Sequence, residues 1–156
     1  MNGQTVTVKR LLPASREEVF DAWLDAGGMR EWMRPGPVSD CAVTLEPRLG
    51  GRFSIVMRSP HGEIVNRGEI LALERPSKLQ FSWISSRWDN QETLVTIVLR
   101  QAGAQCELIL THERFPSEHS SDQLMSGWDE MLGKLSRRFR STFPSVGQGR
   151  GQAPSD

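Results

Sequence analysis

The sequence has no tyrosine, only two cysteines and no excess of either charge. Each shortage narrows what the chain can do. Nineteen Lys and Arg balance nineteen Asp and Glu, for a formal net charge of +0. The general attraction that nucleic acid or an anionic membrane would supply is therefore missing, and neither is expected as a partner. No apolar run approaches the roughly 18 residues of a membrane span. Cys41 and Cys106 stand far apart without CxxC spacing, which predicts small buried thiols in a reducing cytoplasm rather than a disulfide framework. No apolar stretch near the start reads as a secretory signal. The sequence also lacks GxxxxGK[ST], GxGxxG after a strand, HExxH and GxSxG, so the common nucleotide, metalloprotease and hydrolase machineries have no parts here. No cofactor and no metal are expected. A metal site made from His112, Glu118 and His119 would need ligands that converge, and their spacing supplies no such geometry.

What is present is an ordinary amount of apolar material, 37% of 156 residues, with 24% charged. That suits one soluble domain, placed at residues 1–143, with a Gly-, Gln-, Pro- and Ser-rich tail over 144–156 that cannot build a core. Val6 and Val8 alternate with polar residues and predict a strand that Pro13 stops. Ser15 and Glu18 have the spacing of a capping box, and Val19, Phe20, Trp23 and Leu24 follow at helical intervals. Gly27 and Gly28 are expected to end that helix, with Met29, Trp32 and Met33 forming a second short one before Arg34-Pro35-Gly36-Pro37.

Between Cys41 and Glu113 the period becomes two. Phe53, Ile55 and Met57, then Leu79, Phe81 and Trp83, then Val95, Ile97 and Leu99, then Cys106, Leu108, Leu110 and His112 each mark one face of a strand. Short Gly-, Pro- and Asn-containing turns separate these runs, and short links require antiparallel neighbours. After Pro116 the helical period returns. Leu124, Met125, Trp128, Met131, Leu132, Leu135 and Phe139 fall within an arc of about 120°, predicting one amphipathic helix from near Ser121 to about Phe143. A single long helix with two short ones can cover one face of a sheet. The expected architecture is therefore α+β: a curved antiparallel sheet of six or seven strands wrapped around the C-terminal helix, with room for a cavity between them.

Four separated segments carry a resemblance. RLLPASREEVFDAW from Arg10 to Trp23, GGRFSIVM from Gly50 to Met57, LQFSW from Leu79 to Trp83, and LTHERFP from Leu110 to Pro116 with Gly127-Trp128 resemble the bacterial activator of heat-shock protein 90 ATPase homologue-like family. That family lies within the START/SRPBCC ligand-binding superfamily, so the likeness implies the helix-grip fold over roughly Thr5 to Phe139. The superfamily includes lipid and hormone binders, aromatase/cyclases, antibiotic-sequestering proteins and chaperone regulators. Fold alone does not choose among them.

The lining expected for a cavity is Trp32, Phe53, Ile55, Met57, Phe81, Trp83, Val95, Ile97, Leu108, Leu110, His112, Met125, Trp128 and Leu132. Such a surface suits a small lipophilic or aromatic molecule bound without catalysis. His112 is the titratable residue on the inward face, where it would either orient a ligand, act as acid or base in a cyclase, dehydratase or hydrolase, or be held by a neighbouring strand for structural reasons. The missing tyrosine weakens cyclase chemistry, in which a phenol often stabilises an enolate. A third expectation is an interaction module, toward a chaperone, a regulator or a second copy in a homodimer, using an exposed patch and needing no cavity. Arg58, Arg67 and Glu69 are expected on the solvated face. Arg137, Arg138 and Arg140 fall near the end of the last helix, where cations complement its dipole.

Overall fold

The computed structural model describes residues 4–116 and 121–142. Along the chain run β1 (Gln4–Leu12), α1 (Arg16–Ala22), α2 (Ala26–Trp32), β2 (Asp40–Leu45), β3 (Arg52–Ser59), β4 (Gly62–Glu74), β5 (Lys78–Ser85), a 3-10 turn (Ser86–Trp88), β6 (Glu92–Ala102), β7 (Gln105–Phe115) and α3 (Ser121–Thr142). All strands join one seven-stranded sheet in the order β1-β7-β6-β5-β4-β3-β2. Each pairing is antiparallel. Strands β2 to β7 form a meander, and β1 closes onto β7 by pairing Val8 with Leu110 and Val6 with His112. The sheet curves, and α3 lies against β1 and α2 in a helix-grip arrangement. The tail expected over 144–156 lies outside the described residues.

Local chemistry accounts for most boundaries. The Ser15 hydroxyl accepts from the Glu18 N–H at 3.1 Å and Glu18 returns the bond to the Ser15 N–H at 3.0 Å, which satisfies two amides at the start of α1. Gly103 turns β6 into β7 with φ of +64°, a conformation that a side chain would strain. The glycines of the second helix behave differently from expectation. Gly27 and Gly28 lie inside the first turn of α2 instead of ending α1, and Asp25 takes the N-cap position. A Cβ at Gly28 would come within 2.6 Å of the Asp25 carboxylate, so a side chain there would push that carboxylate aside.

The β4 strand shows why a simple alternation misses some strands. Its inward positions include Asn66, Gly68 and Ile70, so a polar and a small residue stand where large apolar ones are usual. A Cβ on Gly68 would lie 1.9 Å from the Ser82 carbonyl oxygen of β5, and its absence brings the two strands together just before a register shift between Ile70 and Ala72. Arg58, Arg67 and Glu69 face outward as expected. Arg58 there bridges Asp40 and Glu63, each at 3.1 Å, across three strands.

In α3 the apolar arc is real but narrower than the sequence implies. Leu124, Trp128, Met131, Leu132 and Leu135 are buried, while Met125 is 39% exposed. At about 100° per residue Met125 marks the outer edge of the arc, and α3 turns that edge toward solvent.

Candidate functional site

The site begins with a buried polar chain across the grip. His112 stands on β7 between Leu110 and Phe115 and is fully buried. Trp128 of α3 points its indole N–H at His112 Nδ1, 3.0 Å away, and His112 Nε2 lies 2.8 Å from the Thr93 hydroxyl of β6. Thr93 in turn donates to the Trp83 carbonyl at 2.6 Å. An indole N–H only donates, and the Thr93 hydrogen is spent on the carbonyl. His112 must therefore accept at Nδ1 and donate from Nε2, which fixes one neutral tautomer. Burial pushes its pKa down from 6.5 to about 3. Neither nitrogen is left for a ligand, and the ring ties helix to sheet.

Around this chain the aromatic rings form a continuous cluster. Trp83 and Trp128 have centroids 5.3 Å apart, Trp23 meets Trp32 edge-on at 4.8 Å, and Phe53 meets Phe81 edge-on at 5.4 Å. On the other side of His112, Trp88 lies 5.6 Å from the imidazole and 6.2 Å from Phe115. These edge-on and tilted geometries suit ring quadrupoles and fill the interior.

The space left over is distributed unevenly. At the end walled by Trp23, Met33, Phe53, Ile55, Leu79 and Phe81 the void is only ≈ 20 Å³, room for about one water. At the other end a cavity of ≈ 530 Å³, within the usual range for a small-molecule site, opens between the Pro35–Val38 loop, the first turns of α3, β3, β4 and the 3-10 turn. Its apolar wall includes Val38, Met57, Ile64, Trp83, Trp88, Leu124, Trp128 and Met131. Trp83 borders both spaces.

Polar groups on the wall of the larger cavity fall into two kinds. Some are satisfied by the protein: Asn66 donates to the Ile55 carbonyl at 3.2 Å, and Glu130 accepts from the Gly36 N–H at 2.9 Å. Asp122 lies in the first turn of α3, where the helix dipole favours a carboxylate. Arg87 is different. Its guanidinium sits 5.9 Å from the Trp88 ring centre and has no ion-pair partner among the described residues. Desolvation by its surroundings lowers its pKa.

The expected lining thus divides. Met57, Trp83 and Trp128 border the large cavity, whereas Phe53, Ile55 and Phe81 border the small void. Trp32, Val95, Ile97, Leu108, Leu110, His112 and Leu132 are buried and border neither. Met125, on the exposed edge of α3, is corrected from the buried position its spacing implied. Sequence reasoning passed over Thr93, although it precedes Val95 by two residues on the same face of β6 and so had the signal of inward alternation. It also passed over Arg87, Trp88 and the Pro35–Val38 loop, which belong to turns and have no periodicity to read. Glu118 and His119 lie outside the described residues. Among the described residues no three His, Cys, Asp or Glu side chains converge for a metal. Cys41 and Cys106 are free and buried, and burial pushes the Cys106 thiol up to about 11, far from a reactive thiolate.

The fold has close counterparts among solved structures. A Chromobacterium violaceum protein aligns with a TM-score of 0.77 at 19% identity over 86% of this chain and 95% of its own. A Mesorhizobium loti protein aligns with a TM-score of 0.74 at 22% identity, over 89% and 98%. A Plasmodium falciparum protein described as an HSP90 activator aligns with a TM-score of 0.70 at 20% identity, over 88% and 97%. No curated protein sequence matches the chain. The model of one family, Activator of Hsp90 ATPase homolog 1-like protein, matches residues 13–140. By that match the chain belongs to this family, within the START/SRPBCC superfamily.

Proposed function

We propose that the protein binds a small lipophilic or aromatic molecule in the cavity between the curved sheet and α3, without itself catalysing a reaction. The observation that carries this is the ≈ 530 Å³ cavity walled by Met57, Trp83, Trp88, Trp128 and Met131. Burial of apolar surface there would supply affinity at about 25 cal/mol per Å², and the two methionines would adapt to the shape of a guest. The state of His112 supports binding over acid–base chemistry, because both its nitrogens are engaged and the ring stays neutral at physiological pH.

The test is a thermal-shift screen with aromatic, fatty-acid, sterol and polyketide-like compounds, followed by tryptophan quenching. A dose-dependent rise in Tm that disappears in Trp128→Phe or Met57→Glu supports the reading, since only a ligand of the native state raises Tm. Silence across the panel overturns it. Family membership and the structural likeness to an HSP90 activator favour a second reading, a contact with a chaperone. Binding of purified Hsp90 to the protein, unaffected by Met57→Glu, is the result that would establish it.

A further inference from the structure

The wall of the large cavity carries a single Lys or Arg side chain, Arg87, exposed on the 3-10 turn. Of the two carboxylates on this wall, Glu130 accepts the Gly36 N–H and Asp122 stands in the first turn of α3, where the helix dipole favours a negative charge. Arg87 lacks a carboxylate among the described residues and stacks only on Trp88. An arginine fork beside an apolar wall offers two parallel N–H donors to an acceptor that carries negative charge. We infer that the cavity takes a lipophilic monoanion, a carboxylate on an aliphatic or aromatic body, with Arg87 holding the carboxylate and Trp83, Trp88 and Trp128 covering the body. A dianionic phosphate head fits less well, because Arg87 is the only Lys or Arg among the wall residues and offsets one negative charge, while Asp122 and Glu130 on the same wall repel each further one. This inference rests on the reading of the cavity as a ligand site.

Three probes with the same tail separate the two ideas: decanoate, 1-decanol and decyl phosphate, titrated at pH 7.5 and read by tryptophan fluorescence. Decanoate is expected to bind about tenfold more tightly than 1-decanol, the scale of one charge-assisted pair, and also more tightly than decyl phosphate. Arg87→Gln removes the preference for decanoate and leaves 1-decanol unchanged, while Arg87→Lys, with a charge but no fork, keeps part of it. Because Arg87 is exposed on the 3-10 turn, its variants are expected to fold, which circular dichroism checks. Equal binding of decanoate and 1-decanol, or a preference that survives Arg87→Gln, overturns the role of Arg87 and leaves the cavity as a ligand site. Tighter binding of decyl phosphate overturns the carboxylate class. If no probe binds, the reading of the cavity falls as well.

Discussion

The two ends of the grip are built from the same kinds of residue and end up with different tasks. At the end around Trp23, Phe53 and Phe81, helices α1 and α2 press rings together until ≈ 20 Å³ is left. At the other end, Trp83, Trp88 and Trp128 face a cavity of ≈ 530 Å³ because the wall opposite is a proline- and glycine-containing loop that cannot fill it. Aromatic richness therefore tells little about where a container is. What separates core from cavity is whether a second covering element reaches the rings. Trp83 borders both spaces, and His112, hydrogen-bonded to Trp128 and Thr93, is buried and borders neither.

The comparison can be broken by truncating one wall at a time. Phe81→Ala in the packed end should cost about 3–5 kcal/mol, while Met131→Ala on the cavity wall should cost below about 2 kcal/mol, because a residue already facing empty space loses fewer contacts. Urea midpoints measure both, and equal losses would erase the distinction between the two ends. His112→Phe should cost about 2–3 kcal/mol by leaving the Trp128 N–H and the Thr93 hydroxyl without their partner.

The same residue sharpens the comparison through pH. The folded imidazole is held neutral, its pKa pushed from 6.5 to about 3, whereas the unfolded one takes a proton below 6.5. A neutral histidine therefore contributes fully above pH 6.5, and its contribution is lost as pH falls from there toward 3, at up to about 1.4 kcal/mol per pH unit. The difference in stability between wild type and His112→Phe should carry this slope, because the variant has no imidazole to protonate; if both proteins lose stability in parallel, the ring is not held neutral by the fold. The smallest effect lies outside either end. Arg10 on β1 pairs with Asp129 on α3 at 2.7 Å, but Asp129 is largely exposed, so Asp129→Asn should change stability by at most about 0.5 kcal/mol and less in high salt.

Much of the frame was legible from the chain. The capping box of Ser15 and Glu18, the alternation in β3, β5, β6 and β7, and the heptad-like spacing from Leu124 to Phe139 each reflect a local rule, because one face of a regular element must be apolar. The departures have physical causes as well. Gly27 and Gly28 read as a stop but lie inside the first turn of α2, where Gly28 leaves room for the Asp25 carboxylate. Asn66 and Gly68 hide the alternation of β4, since a bulge and a tight strand approach favour residues that pattern reading treats as breaks. The site was legible only in part: Met57, Trp83 and Trp128 were on the expected face, yet Arg87, Trp88 and the Pro35–Val38 loop come from turns, where no period announces which way a side chain points.

The sequence by itself determined the order of elements, the inward face of most strands, the apolar stripe of α3 and the family, because these follow from residue spacing and local chemistry. The tertiary structure alone decided that the end around Trp23 and Phe81 is filled and the end around Trp88 and Trp128 is not, that His112 is occupied by Trp128 and Thr93, and that Arg87 lies on the cavity wall without an ion pair among the described residues. Volume and hydrogen-bond satisfaction depend on side chains far apart in the chain, and no local rule carries that information.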